Sequence, residues 1–115
     1  MLANGSQMPI IVSDRSELRR CVMHLWPNYN GIGLNIKPSR PVNKIQIPHI
    51  VKDVDLDSPA QYAGVLSNDY IIKVGERLVE FEKFDTLLKL IREQLKKEKK
   101  IDLLLINQSY YTDFK

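Results

Sequence analysis

Residues 31–36 read Gly-Ile-Gly-Leu-Asn-Ile, two glycines alternating with aliphatics directly ahead of a run with strand character. Glycine admits backbone angles closed to other residues and lets a ligand come close to the main chain. Amide N–H groups in such a turn converge on a concavity that holds an anion. The side chains around this one are aliphatic. The group that suits it is anionic at one end and greasy at the other, as is the C-terminal carboxylate of a peptide ending in a hydrophobic residue. A Gly-x-Gly pair alone is weak, because most such pairs are ordinary turns. It is not a dinucleotide fingerprint, since the third glycine is missing and a strand follows instead of a helix. It is not a phosphate loop, since no Gly-Lys-Ser/Thr follows.

Residues that could do covalent or metal chemistry are sparse. The chain has two histidines, His24 and His49, and one cysteine, Cys21, with no Cys/His cluster at metal-ligand spacing. Neither histidine accompanies a serine nucleophile motif, and both read as structural or surface residues. Cys21 lies in a strand-like run and reads as a small buried hydrophobe. One cysteine forms no internal disulfide, which fits a reducing compartment. The expectation is a non-enzyme with no cofactor and no metal.

The 115 residues are 43% hydrophobic and 27% charged, as expected for one soluble domain with one modest core. No apolar run approaches the roughly 20 residues of a membrane span. Residues 1–17 read as a flexible leader with no secretory signal. The formal charge is +3 and the pI about 9.0. Much of the excess lies in Arg19, Arg20 and the run Lys96, Lys97, Lys99, Lys100. Such a run is ordinarily the solvated end of a helix, where cations complement the dipole. A phosphoinositide or membrane-surface patch is the alternative reading. Nucleic acid is not expected as a partner, because no aromatics interleave with the basic residues and no reading helix is evident.

The elements that must position the glycine turn follow from periodicity and breakers. A first strand is predicted over 18–25, turn chemistry over 26–30 (Trp-Pro-Asn-Tyr-Asn), a second strand over 34–37 stopped by Pro38, and a polar loop over 39–43. A third strand is predicted over 49–54. Asp57-Ser58-Pro59-Ala60 signals a short helix closed by Gly64. Strands follow over 69–74 and, after the Gly75-Glu76 turn, over 77–79. Apolar residues at 84, 87, 88, 91 and 95 make one face of a helix over 84–95, with Leu90 widening it. A last strand over 101–106 leads into a patternless polar tail, 107–115. The fold class is α+β, mainly β: a small, partly open barrel or sandwich with two helices.

Four segments in this order resemble the PDZ domain. Gly31-Ile32-Gly33-Leu34 is similar to the family's Gly-Leu-Gly-Phe loop. Asp57-Ser58-Pro59-Ala60 ending in Ala63-Gly64 is similar to its Gly-Ser-Pro-Ala…Ala-Gly helix. Residues 68–74 are similar to its Gly-Asp-x-Ile-Leu-x-Val strand, and 84–91 to its ligand-flanking helix. The resemblance covers residues 18–106. It implies a partly open six-stranded barrel with two helices. The ligand would add as an antiparallel strand between the second strand and the long helix, main-chain bonds giving affinity and pockets giving specificity.

Carried onto this chain, the resemblance assigns the carboxylate to the amides of Ile32, Gly33 and Leu34. It walls the pocket for the last ligand side chain with Ile32, Leu34, Ile36 and Ile91. The commonest ligand class needs a His at the first position of the long helix, to bond a Ser or Thr two residues before the ligand terminus. Phe84 stands there instead, with Leu88 one turn on, so the expected ligand ends hydrophobic-x-hydrophobic, the family's class II. Lys52 and Asn35 map beside the ligand's upstream part, Lys52 favouring an acid one or three places before the end. The cation that often precedes the loop is missing from 26–30, leaving Asn28, Asn30, Arg19 or Arg20 as substitutes. Gly75-Glu76 replaces the family's Asn-Gly turn. The implied partners are C-terminal peptides of membrane or cytoplasmic proteins, with membrane lipids a weak addition. The implied setting is a cytoplasmic scaffold or adaptor at the cell cortex. Alternatives are a lipid-docking module acting through the lysine cluster and the substrate-tail-binding part of a protease.

Overall fold

The structure, a computed structural model, describes residues 17–111. The expected leader falls outside the described residues except for Glu17, as do positions 112–115 of the expected tail. The elements are β1 (Arg19–His24), β2 (Leu34–Lys37), β3 (Ile50–Val54), α1 (Pro59–Tyr62), β4 (Asp69–Val74), β5 (Arg77–Leu78), α2 (Phe84–Glu98) and β6 (Lys100–Asn107), followed by a short 3-10 turn, Gln108–Tyr110. The domain is thus α+β and mostly β, six antiparallel strands in one open sheet with two helices. The sheet runs β1-β6-β4-β3-β2, with β5 paired to β4. β1 and β2 are therefore its two ends.

Strand alternation divides the apolar residues between two faces. Ile101, Leu103 and Leu105 of β6 are fully buried with Met23, Val51, Ile71 and Leu87, forming the main core under α2. On the other face Ile50, Tyr70, Ile72 and Ile106 make a smaller cluster with Tyr111. Burying one such aliphatic side chain is worth roughly 1.5–3 kcal/mol, so β6, which feeds both clusters, holds the two layers together.

The short helix begins as its sequence demands. The Ser58 hydroxyl accepts from the Gln61 amide (3.2 Å) and donates to the Asp55 carbonyl (2.8 Å), and Pro59 occupies the first turn. α2 starts at Phe84 but runs to Glu98, past the predicted end at 95, because no breaker interrupts Lys96 and Lys97. It stops where Lys99 takes the left-handed conformation (φ 61°), with its amide bonded to the Leu95 carbonyl. Inside the loop read as polar, Val42 and Ile45 exchange two backbone bonds across Asn43 and Lys44, both with positive φ. That is the geometry of a two-residue hairpin turn.

The patternless tail expected from residue 107 is corrected over its first five residues. Asn107 completes β6, and Tyr111 is buried, its ring edge-on to Tyr70 at 5.0 Å. The Tyr111 hydroxyl donates to the buried Glu80 carboxylate at 2.7 Å. Burial first, and the bond to Glu80 second, push the phenol well above its ordinary pKa.

Candidate functional site

The glycine turn is held from behind. Trp26 packs edge-on against Tyr29 and Tyr62 at 6.1 and 6.2 Å, and the Tyr29 hydroxyl donates to Asp55 at 2.9 Å. The Ile32 carbonyl accepts from the Ala60 amide of α1, and the Gly33 carbonyl from the Asp55 amide beyond β3, both at 2.9 Å. With these carbonyls turned to the domain, the amides face the other way. Gly31 and Gly33 have φ of 88° and 78°, with Ile32 between them at negative φ. Alternation of this kind is the backbone pattern in which successive N–H groups form an anion-binding concavity. Among the described residues, neither the Ile32 nor the Gly33 amide donates to a protein acceptor. The Asp55 amide bonds to the Gly33 carbonyl directly opposite it, half of a hydrogen-bonded pair, so the next pair, Leu34 and Val54, is a non-bonded one. The Leu34 amide therefore points out along the open edge of β2.

Beside these amides a cleft of about 420 Å³ runs between β2 and α2. Ile32, Leu34, Ile36, Phe84, Leu88 and Ile91 line it, all residues expected at the site. Leu95 and Ile101 extend the apolar wall. Gly33 contributes its backbone alone: a Cβ there would sit 2.3 Å from that of Ser58. Asn35 and Lys52 are not in this cleft. Both are exposed and lie on the opposite face of the β2–β3 ribbon. Asn35 stands abreast of Asp53, and Lys52 lines a second cleft with Lys37.

Sequence reasoning did not place a cation at the cleft. Arg92, exposed on the polar face where the helical pattern put it, also borders the cleft. Its position four residues after Leu88 and three before Leu95, on the same stripe, was the available signal. The proposed substitutes Arg19 and Arg20 are committed elsewhere. Arg19 forks onto Asp69 and Arg20 onto Asp102. No described His, Cys, Asp or Glu residues form a group of three that could hold a metal.

Phe84 is half-buried and meets the His49 ring edge-on at 5.3 Å. His49, allowed for as a surface residue, is 2% exposed. Its Nδ1 accepts from the Ser39 amide (2.9 Å), and its Nε2 lies 2.7 Å from the Glu82 carbonyl, to which it donates. A neutral imidazole with its proton on Nε2 satisfies both contacts; protonating Nδ1 breaks the first. Burial lowers the pKa, with the Glu82 carbonyl opposing. In the window between the ordinary value near 6.5 and the lower folded value, the unfolded chain binds the extra proton. Stability is therefore full above about pH 6.5 and falls on acidification, by at most about 1.4 kcal/mol per pH unit, until the folded pKa is passed. Urea midpoints between pH 7.5 and 5 should show this slope, and His49→Gln should flatten it.

The arrangement can bind an anion on its backbone, bury an apolar group next to it and pair a strand along the β2 edge. No protein-family model matches this chain, and no curated protein matches it significantly.

Proposed function

We propose that this is a non-catalytic peptide-binding module of the PDZ type, which takes the C-terminal tails of other proteins by adding them as a strand to β2. The observation that carries the reading is the pair of amides at Ile32 and Gly33, which have no acceptor among the described residues, beside an apolar cleft and a strand edge that no described strand pairs. The terminal carboxylate sits on those amides and Leu34, with Arg92 adding charge. The last side chain enters the wall of Ile32, Leu34, Ile36 and Ile91. The side chain two residues upstream meets Phe84 and Leu88, so tails ending hydrophobic-x-hydrophobic fit best. The order of elements, with the short helix ahead of β4 and the long one flanking β2, supports the same reading. A parent scaffold or adaptor working at the cell cortex is what the resemblance implies.

One buried side chain and a few main-chain bonds, less the cost of ordering the tail, give an affinity on the order of micromolar. Amidating the peptide terminus removes the charge from the best hydrogen bonds and should weaken binding roughly tenfold or more. Equal binding of acid and amide would sink the reading. Phe84→His should improve tails with Ser or Thr two residues before the end by several-fold to about tenfold. An unchanged preference in a titration of both tail types would show that Phe84 does not meet that residue.

A further inference from the structure

The outer face of the β2–β3 ribbon carries charge of opposite sign at its two ends. At the end near the glycine turn, Asn35 donates to Asp53 at 2.6 Å and to Asp55 at 3.1 Å. Both carboxylates are exposed, and among the described residues neither pairs with a cation. At the far end a cleft of about 460 Å³ is lined by Lys37, Arg40 and Lys52, all exposed and likewise without an acidic partner among the described residues. A register shift creates this layout. Asn35 stands opposite Asp53 while Ile36 stands opposite Val51, so Lys52 is the extra residue of a bulge. The bulge leaves Lys52 on the same face as Asp53, where strict alternation would send it to the core.

Given the reading of the groove above, on which this rests, the ligand's side chains can be placed. An antiparallel strand steps one residue along β2 for each residue upstream, and residues directly opposite share a face. The terminal residue lies abreast of Leu34 and the one two before it abreast of Ile36, both toward the apolar cleft. The penultimate residue then lies abreast of Asn35, and the residue three before the end abreast of Lys37, both on the charged face. We propose that this face reads the tail by charge, selecting a cationic residue next to the end and an acidic residue three before it. The carboxylates of Asp53 and Asp55 take the first, and Lys37 with Lys52 takes the second, Arg40 continuing upstream. An acid one place before the end, which Lys52 alone would allow, is rejected by Asp53 and Asp55.

The test uses two acetylated octapeptides of identical composition, Ala-Ala-Ala-Ala-Glu-Leu-Lys-Val and Ala-Ala-Ala-Ala-Lys-Leu-Glu-Val, each as free acid and as amide. The first free acid should bind the full chain roughly three- to tenfold more tightly, two exposed pairs having been exchanged for two repulsions. The gap should shrink at about 0.5 M salt and close or invert in Lys37→Glu/Lys52→Glu. Equal or reversed affinities, with both free acids still preferred over their amides, overturn this inference and leave the groove reading standing. Binding by neither peptide, or indifference to amidation, overturns both. Phosphatidylserine vesicles bound by the wild type and lost by the double variant, with the two peptides equal, would assign the basic cleft to a membrane and overturn the inference.

Discussion

Gly33→Ala should destabilise the fold by about 2–4 kcal/mol and abolish tail binding, while Gly31→Ala should cost about 1 kcal/mol and leave binding measurable. Both glycines have positive φ, so alanine strains the backbone at either place. They differ in what surrounds them. A Cβ on Gly31 meets nothing within 4 Å, whereas on Gly33 it lands 2.3 Å from the Ser58 Cβ and 2.4 Å from its Oγ. Ser58 is fully buried and caps α1, so it cannot swing aside cheaply. The clash pushes the Ile32–Leu34 amides out of place. Urea unfolding and peptide titration of both variants check this. Ser58→Gly in the Gly33→Ala background opens the space and sacrifices only a few tenths of a kcal/mol of capping, so it should recover part of the loss. Equal costs at the two glycines would show that the contact with Ser58 is not what matters.

The second large effect lies at the other end of the sheet. Arg19→Met should destabilise by about 3 kcal/mol, and Arg20→Met far less. The Asp69 side chain is completely buried, and Arg19 grips both its oxygens at 3.0 and 2.7 Å while also donating to the Gly64 carbonyl at 2.9 Å. The same carboxylate accepts from the Leu66 backbone amide (2.8 Å) and from Nδ2 of the Asn107 side chain (3.3 Å). It thereby ties β1 and β6 to the turn ahead of β4. Without Arg19 a carboxylate remains in the interior with no cation beside it. The bond to Asp69, offset by partial burial, raises the guanidinium pKa above its already high value. Arg20 also forks onto a carboxylate, Asp102, but its side chain is 68% exposed, so water replaces most of what is lost. Arg19→Lys should fall between wild type and Arg19→Met in urea midpoint, keeping the charge and losing the fork. Similar losses for Arg19→Met and Arg20→Met would contradict the argument.

Much of this was legible in the chain because several local signals agreed. β2 and β4 have the bounds read from alternation and from Pro38. Ser58-Pro59 opens a helix as cap and first-turn residue, and the stripe of Leu87, Leu88 and Ile91 gave the long helix and its buried face. What escaped depends on contacts between distant residues or on unusual backbone. Lys99 ends α2 in a conformation that glycine usually supplies, so no residue type announced the stop. Tyr111 is ordered by the buried Glu80, 31 residues away in sequence. The bulge at Lys52 is a property of strand pairing and left no mark on composition. Arg92 is exposed, as a polar helix residue ordinarily is, and its bordering of the cleft depends on how α2 sits against β2. The two histidines looked alike in sequence, but Ser39 and Glu82 reach only His49.

The rim of β2, which no strand among the described residues covers, also bears on how the molecule behaves in a crowded solution. Exposed strand backbone invites a neighbouring copy to join it, and long, flat rims of this kind seed fibres. Here the rim is four residues long, begins at a glycine turn and is cut off by Pro38, which has no N–H to offer. The bulge in β3 twists what is left. Two copies meeting rim to rim could form only a few rungs, too few to persist unaided. A rim this short gives a neighbouring copy little on which to polymerise.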